Sequence, residues 1–293
     1  MGIGIEGDAD GGGGAPRARV VVWRPRHVGG VEMVRGIDTP HSAPRHFHEE
    51  LEVGLRQGGG WEFHHCGAWH AVSPGTIVLT PPGSVHMVRA PRGAADTVYY
   101  GFRLDVDLLQ RAATGLAGRP RHVPDFATPL VHDREALLLL LRLVSALGEG
   151  SAASPLEQES RLQDALGHLI VRHGAERLAL APQPAGAERG AVRRARAYIE
   201  EHAERAVTLA ELARVADLSA SHLCGAFAAA VGMPPHAYQT QVRVARAKAL
   251  LVAGHLPLAQ VAREAGFANQ SHLTRHFARL VGVTPGRFVR ESR

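Results

Sequence analysis

Hydrophobic and polar positions change period along this chain, and each change marks a different kind of structure. From 18 to 104, short β-rich runs such as Arg19-Val20-Val21-Val22-Trp23, Leu51 to Leu55, Thr76 to Thr80 and Thr97 to Phe102 alternate with turn clusters, among them Gln57-Gly58-Gly59-Gly60 and Pro81-Pro82-Gly83. Many short strands at this spacing predict a small antiparallel barrel or sandwich. Residues 133–148 and 155–173 switch to helical period: Leu137, Leu138, Leu141, Val144 and Leu147 form one stripe, and Leu162, Leu166, Leu169 and Ile170 form another. Such stripes must be buried, against the β domain or against a second subunit. The stretch Ala181-Pro182-Gln183-Pro184-Ala185-Gly186-Ala187 reads as a linker.

Beyond the linker the pattern repeats. Leu209-Ala210 and Leu212-Ala213 return as Leu258-Ala259 and Val261-Ala262; Leu223, Phe227, Val231, Gly232, Pro235 and Tyr238 return as Leu273, Phe277, Val281, Gly282, Pro285 and Phe288. The second copy holds one extra residue in its turn, where an insertion is cheap. Each copy predicts helix, turn, helix. In the first, Thr208 and Glu211 form a capping box, the first helix ends near Ala216-Asp217, Ser219 caps the second, and Gly232 stops it. In the second, Pro257 takes the first helical turn, Gly266 breaks the first helix, Asn269 caps the second and Gly282 ends it. Residues 236–253 read as an uninterrupted helix of about 27 Å. Half-sites on one face of a duplex lie about 34 Å apart, so the two second helices can enter successive major grooves.

Charge supports that reading. The chain carries +5 overall, yet from Gly190 onward there are 14 basic and 7 acidic residues, and before it 19 and 21. The basicity therefore sits in the last third, which points to a polyanionic partner for that part alone. Lys248 is the only lysine, which reflects composition and not chemistry. No apolar run approaches the roughly eighteen residues of a membrane span: Leu137 to Leu141 is hemmed in by Arg134, Arg142 and Glu149. The start, with Glu6, Asp8, Asp10 and Gly11 to Gly14, is neither basic nor apolar enough for a secretory signal and reads as a disordered tail. Cys66 and Cys224 are too few and too far apart for a disulfide framework or zinc site, which favours a cytoplasmic location. There is no nucleophile elbow, Walker loop or dinucleotide fingerprint.

From about 192 to 290 the chain resembles the AraC/XylS family of bacterial regulators, most specifically over Ala265-Gly266-Phe267-Ala268-Asn269-Gln270-Ser271-His272-Leu273-Thr274-Arg275-His276-Phe277 and Gly282-Val283-Thr284-Pro285. The resemblance implies that the second helix of each unit lies in the major groove. It nominates Asn269, Gln270, Ser271, His272 and Arg275 in the second copy, with Arg275 suited to guanine or phosphate and Gln270 to adenine. In the first copy it nominates Ser219, Ala220, Ser221, Cys224 and Gly225, small side chains that reach few base edges; the family often has arginine where Gly225 stands. The second copy is expected to carry more of the specificity.

A second constellation lies in the β-rich part. His46, His48 and Glu52, followed by Gly75, Pro81, Gly83 and His86, give HxHxxxE and G(x5)PxGxxH, which resemble the two metal motifs of the cupin barrel. On one continuous strand 46, 48 and 52 would share a face, and with His86 they offer nitrogen and oxygen ligands for a divalent ion. Against that, Phe47, Leu51, Val53 and Leu55 make the opposite face the apolar one, and Ala90 stands where the second motif has asparagine. His46, His48, Glu52 and His86 are therefore expected to line an effector site, with metal the lesser expectation. A further group, His64, His65, Cys66 and His70, reads as solvated.

The fold expected is multidomain: a disordered tail at 1–17, an all-β cupin-like barrel with two following helices at 18–180 for effector binding and dimerisation, a linker at 181–190, and an all-α double helix-turn-helix domain at 191–293. The function expected is a sequence-specific DNA-binding transcription regulator under small-molecule control, without catalytic residues or cofactor. Its expected partners are operator DNA, the effector, a second copy and RNA polymerase, with no membrane. Two alternatives stay open: a metal-dependent cupin enzyme carrying a DNA-binding module, and a constitutive DNA binder whose barrel only dimerises.

Overall fold

The computed structural model describes residues 19–37, 43–65, 67–89, 98–126, 128–175, 187–254, 256–281 and 283–291. The predicted tail, Cys66, Ala90, Gly282 and the linker up to residue 186 lie outside these. The chain divides into two compact units, Met1–Glu149 with Ala165–Leu180, and Gly150–Asp164 with Ala181–Arg293.

The first unit holds ten strands: β1 Arg19–Trp23, β2 Val31–Ile37, β3 Ala43–His46, β4 Leu51–Gln57, β5 Trp61–His65, β6 Ala68–Val72, β7 Ile77–Thr80, β8 His86–Arg89, β9 Val98–Leu104 and β10 Leu130–Val131. They form two antiparallel sheets, β1-β2-β9-β4-β7-β10 and β3-β8-β5-β6. The β-rich architecture is as expected, but among the described residues the sheets do not close into a barrel. Alternation gives the larger sheet two buried faces. Val34, Glu52, Gly54, Val78, Thr80, Tyr99 and Arg103 look onto a cavity shared with the smaller sheet. Met33, Leu51, Val53, Leu55, Ile77, Leu79 and Phe102 lie on the other side and are buried too. A sheet face that apolar needs a helical cover. The apolar helical faces of this unit belong to α1 Val106–Ala117, α2 Arg134–Leu147 and the end of α3 Pro155–His173.

Three details correct the sequence reading. Helix α1 was not anticipated. The buried face of α2 is Ala136, Leu140, Leu143, Ala146 and Leu147; of the predicted stripe only Leu147 is on it, Leu137, Leu141 and Val144 are half-buried and Leu138 is 45% exposed, because leucines surround this helix and blur its phase. The stripe on α3, by contrast, is buried as expected at Leu162, Leu166, Leu169 and Ile170. Besides a break between Leu180 and Ala181, at the start of the expected linker, the division also passes through α3, whose first part joins the second unit, and residues 187–190 of the linker already belong to the next helix.

The second unit holds the start of α3 and the helices α4 Ala187–Glu201, α5 Leu209–Ala216, α6 Ala220–Val231, α7 Pro235–Ala253, α8 Leu258–Glu264, α9 Gln270–Val281 and α10 Pro285–Glu291. Local signals fix most of their ends. Thr208 and Glu211 close the capping box on α5, and Ser219 accepts from His222 N at the start of α6. Asn269 Oδ1 accepts from His272 N at the start of α9 (2.8 Å). Pro257 stands one position before α8 and not within its first turn. Gly266 has φ +86°, and a Cβ there would meet Ala203 O at 2.5 Å, so only glycine fits between the two helix pairs. Each copy buries its own core, one around Leu212, Leu223 and Phe227 and the other around Val261, Leu273 and Phe277. Arg243 of α7 donates to Ala203 O (2.7 Å) and Arg205 O (2.9 Å), tying the rod to the end of α4.

Candidate functional site

Helices α6 and α9 occupy the second-helix positions of the two predicted copies, and α7 separates them. Its 19 residues amount to about 28 Å of rod. On α9, Gln270, Ser271 and Arg275 are exposed, Ser271 and Arg275 one turn apart on a common face. His272 is not with them. It is 6% exposed, packed edge-on against His276 (centroids 4.6 Å) and Phe267 (5.4 Å). Burial, with Arg275 close by, lowers its pKa, and burial together with His272 and Arg279 holds His276 at about 4. Both are therefore neutral core groups, and His272 offers no surface to a base in this conformation.

The nominated positions of α6 are arranged differently. Ser219 is exposed but engaged as the cap, and Gly225 is exposed with nothing within 4 Å of a Cβ placed on it. The start of α3 lies over the rest. Ser221 Oγ donates to Gln163 Oε1 (2.6 Å), and Leu156, 0% exposed, joins the core formed by Leu223, Cys224 and Phe227. Cys224 is 5% exposed and Ala220 packs against the same cluster. Burial pushes the Cys224 thiol far up, so it is an inert apolar filler. Glu159 accepts from Leu209 N at the orphan end of α5. Sequence reasoning missed Glu159 and Gln163, because no local pattern marks a helix that docks from fifty residues away.

In the β unit the two cupin-type motifs do meet. His46 and His48 are not on one strand, since β3 ends at His46 and β4 begins at Leu51. The bend at 47–50 brings them together: ring centroids are 4.2 Å apart for His46 and His86, and 4.9 Å for His48 and His86. The histidines thus face inward although Leu51, Val53 and Leu55 are core, because both faces of the sheet are covered. Phe47, counted with the apolar face, is 61% exposed. His48 Nε2 contacts Glu52 Oε2 at 2.6 Å, and Tyr99 donates its hydroxyl to Glu52 Oε1. Burial alone would raise the Glu52 carboxyl, but His48 and Tyr99 hold it down at about 2. The Glu52 contact raises the pKa of His48 in turn. His86 donates Nδ1–H to Ser84 O (3.0 Å), and burial lowers its pKa. Trp61, Phe63 and Val88 complete the wall of a cavity of about 130 Å³. Of the other histidine group, His65 is buried on Ser84 Oγ (2.6 Å) and His64 lies edge-on to Trp69.

A β domain with a cavity lined by His46, Glu52, His86, Tyr99 and Arg103, joined to paired helix-turn-helix units, defines a ligand-responsive DNA-binding protein as a class. Residues 28–166 match the family described as an AraC-like ligand binding domain, and residues 212–291 match a helix-turn-helix domain family. The chain belongs to the AraC-type transcriptional regulators. It is 28% identical to the uncharacterized HTH-type transcriptional regulator YbfI of Bacillus subtilis (strain 168), over 78% of this chain and 81% of that protein. It is 38% identical to the probable transcriptional regulator LumQ of Photobacterium leiognathi over 31% of this chain, a match that spans only 37% of LumQ's length. Among solved structures, a probable AraC family transcriptional regulator from Rhodopseudomonas palustris CGA009 is 29% identical, covers 36% of this chain and 98% of its own, and superposes with a TM-score of 0.34.

Proposed function

We propose a one-component regulator in which a small molecule in the β-unit cavity controls how much of the DNA-reading surface is open. The observation that carries this is the unequal state of the two reading helices: α9 is exposed at Gln270, Ser271 and Arg275, while α6 is covered by the start of α3 at Ser221 and Cys224. Helix α9 reads most of the operator. Helix α6 reads its half only when residues 155–164 withdraw, and then through Gly225, Ser221 and backbone contacts. Effector binding favours the withdrawn state in proportion to its preference for that state.

The cavity sets limits on the effector. Its volume is close to that of an engineered cavity that holds benzene, so the ligand is compact. Trp61 and Phe63 offer it an apolar wall, and His46, His86, Tyr99 and Arg103 offer hydrogen bonds. The rival reading, a metal-dependent enzyme, would draw on His46, His48 and His86, whose ligand atoms lie within 4.8 Å of one another; Glu52, the fourth candidate, already has both oxygens engaged, by Tyr99 and His48. Residues Leu137, Leu138, Leu141 and Val144 of α2 give a second copy an apolar strip to pair with, so the working form is a homodimer. Operator binding places the protein in the cytoplasm, with RNA polymerase as a further partner. Among the described residues no helix is long and apolar enough to cross a membrane.

The test is Gln163→Ala, read by footprinting and by anisotropy without effector. Losing a net hydrogen bond of about 0.5–1.5 kcal/mol should raise operator affinity roughly two- to tenfold, with new protection confined to the α6 half-site. An unchanged footprint and affinity would remove α3 as the cover.

A further inference from the structure

Away from the cavity, within the first unit, three side chains converge where α2 begins and α3 ends. Asp133 caps α2: its Oδ1 accepts from Glu135 N (2.9 Å) and Ala136 N (3.1 Å). Its other oxygen, Oδ2, lies 2.8 Å from His168 Nε2 and 2.8 Å from His173 Nε2. One carboxylate thus divides its work, with one oxygen on the backbone and the other shared by two imidazoles. We propose that Asp133, His168 and His173 form a binding site for a divalent cation of the zinc class, distinct from the effector cavity.

Four observations support the assignment. The three ligand atoms all lie within 4.8 Å of one another. In a tetrahedral zinc site with bonds of about 2.0–2.2 Å, ligand atoms stand roughly 3.3 Å apart, so Oδ2 and the two nitrogens need to part by only about 0.5 Å. The side chains are 14% (His168), 16% (Asp133) and 22% (His173) exposed, buried enough to be held and open enough for an ion to enter and for water to take the fourth position. Two imidazole nitrogens with one carboxylate oxygen suit zinc and its neighbours, whereas magnesium and calcium favour all-oxygen sets.

The surroundings fit as well. Glu135 Oε1 stands 4.0 Å from His168 Nδ1, beyond hydrogen-bond distance but close enough to turn onto the ring once the site is filled. Without the ion, each ring donates an Nε2–H to Asp133 Oδ2. With it, the Nε2 lone pairs turn to the metal, and the cap on Oδ1 stays intact. His173 is the last residue of α3, whose carbonyl end favours a cation.

Equilibrium dialysis of the full chain against zinc, with magnesium as control, tests this on three proteins. They are the wild type, His168→Ala with His173→Ala, and a cavity variant with His46→Ala and His86→Ala. The cavity variant should keep one tightly bound zinc and a zinc-dependent rise in melting temperature. The His168/His173 variant should lose that equivalent, with affinity weakened about 100-fold or more, and should melt at the same temperature with or without zinc. Magnesium should not substitute. Equal zinc binding by the His168/His173 variant would overturn the proposal. So would a folded cavity variant that retains no zinc, and that second result decides the question even where the His168/His173 variant fails to fold.

Discussion

The two helix-turn-helix copies share a plan and differ at the positions that matter for reading. Fifty residues apart, Ala220 faces Gln270, Ser221 faces Ser271, Cys224 faces Thr274 and Gly225 faces Arg275. At three of these four positions the first copy carries a shorter or more weakly hydrogen-bonding side chain, while Ser221 matches Ser271. The structure gives a physical reason: the first copy's small side chains let a helix dock on them, with Leu156 in the shared core and Gln163 on Ser221. A surface that must accept both a helix and a duplex favours short side chains. The second copy keeps its long polar residues outside and turns two histidines inward instead.

The largest break in this asymmetry comes from Arg275→Ala. If Arg275 contacts a base, specific binding should weaken by about 1–3 kcal/mol, roughly 5- to 150-fold, with little change on non-specific DNA. Equal losses on both would make it a phosphate contact. The converse change sharpens the comparison: Gly225→Arg places the second copy's reader in the first, where the space is open. It should tighten operator binding by about 1 kcal/mol, roughly fivefold, and raise the melting temperature, because glycine inside a helix costs about as much again.

A smaller difference appears with pH. His276 is held neutral with a pKa of about 4, below its unfolded value near 6.5, and Ala226 takes its place in the first copy. A histidine with a lowered folded pKa stabilises the native state above the unfolded value, and that contribution is lost as pH falls from about 6.5 through 4. Hydrogen exchange should therefore show α9 losing protection relative to α6 between pH 7 and pH 5. His276→Leu should reduce the difference, leaving the part that His272 contributes.

What could be read from the sequence was local. The capping box at Thr208 and Glu211, the cap at Ser219, the stop at Gly232 and the rod after Pro235 each follow from a few neighbouring residues, and all are found. The meeting of His46, His48, Glu52 and His86 was legible from motif spacing, although the single-strand argument for it was wrong: a bend and a second sheet bring the groups together. Tyr99 as the partner of Glu52 left no trace in the sequence, being 47 residues away. The burial of Cys224 and His272 was equally hidden, since it depends on which distant side chains cover them. The α2 stripe failed for a different reason: Leu137 to Leu141 are all leucine, so the pattern has no phase to read.

The inequality of the two copies is tested most directly by selecting binding sites for the full chain from random DNA. A two-part site should emerge, its halves about one helical turn apart, one sharply defined and blurred by Arg275→Ala, the other shallow and sharpened by Gly225→Arg. Two halves of equal information, or a sharp half indifferent to Arg275, would contradict the account.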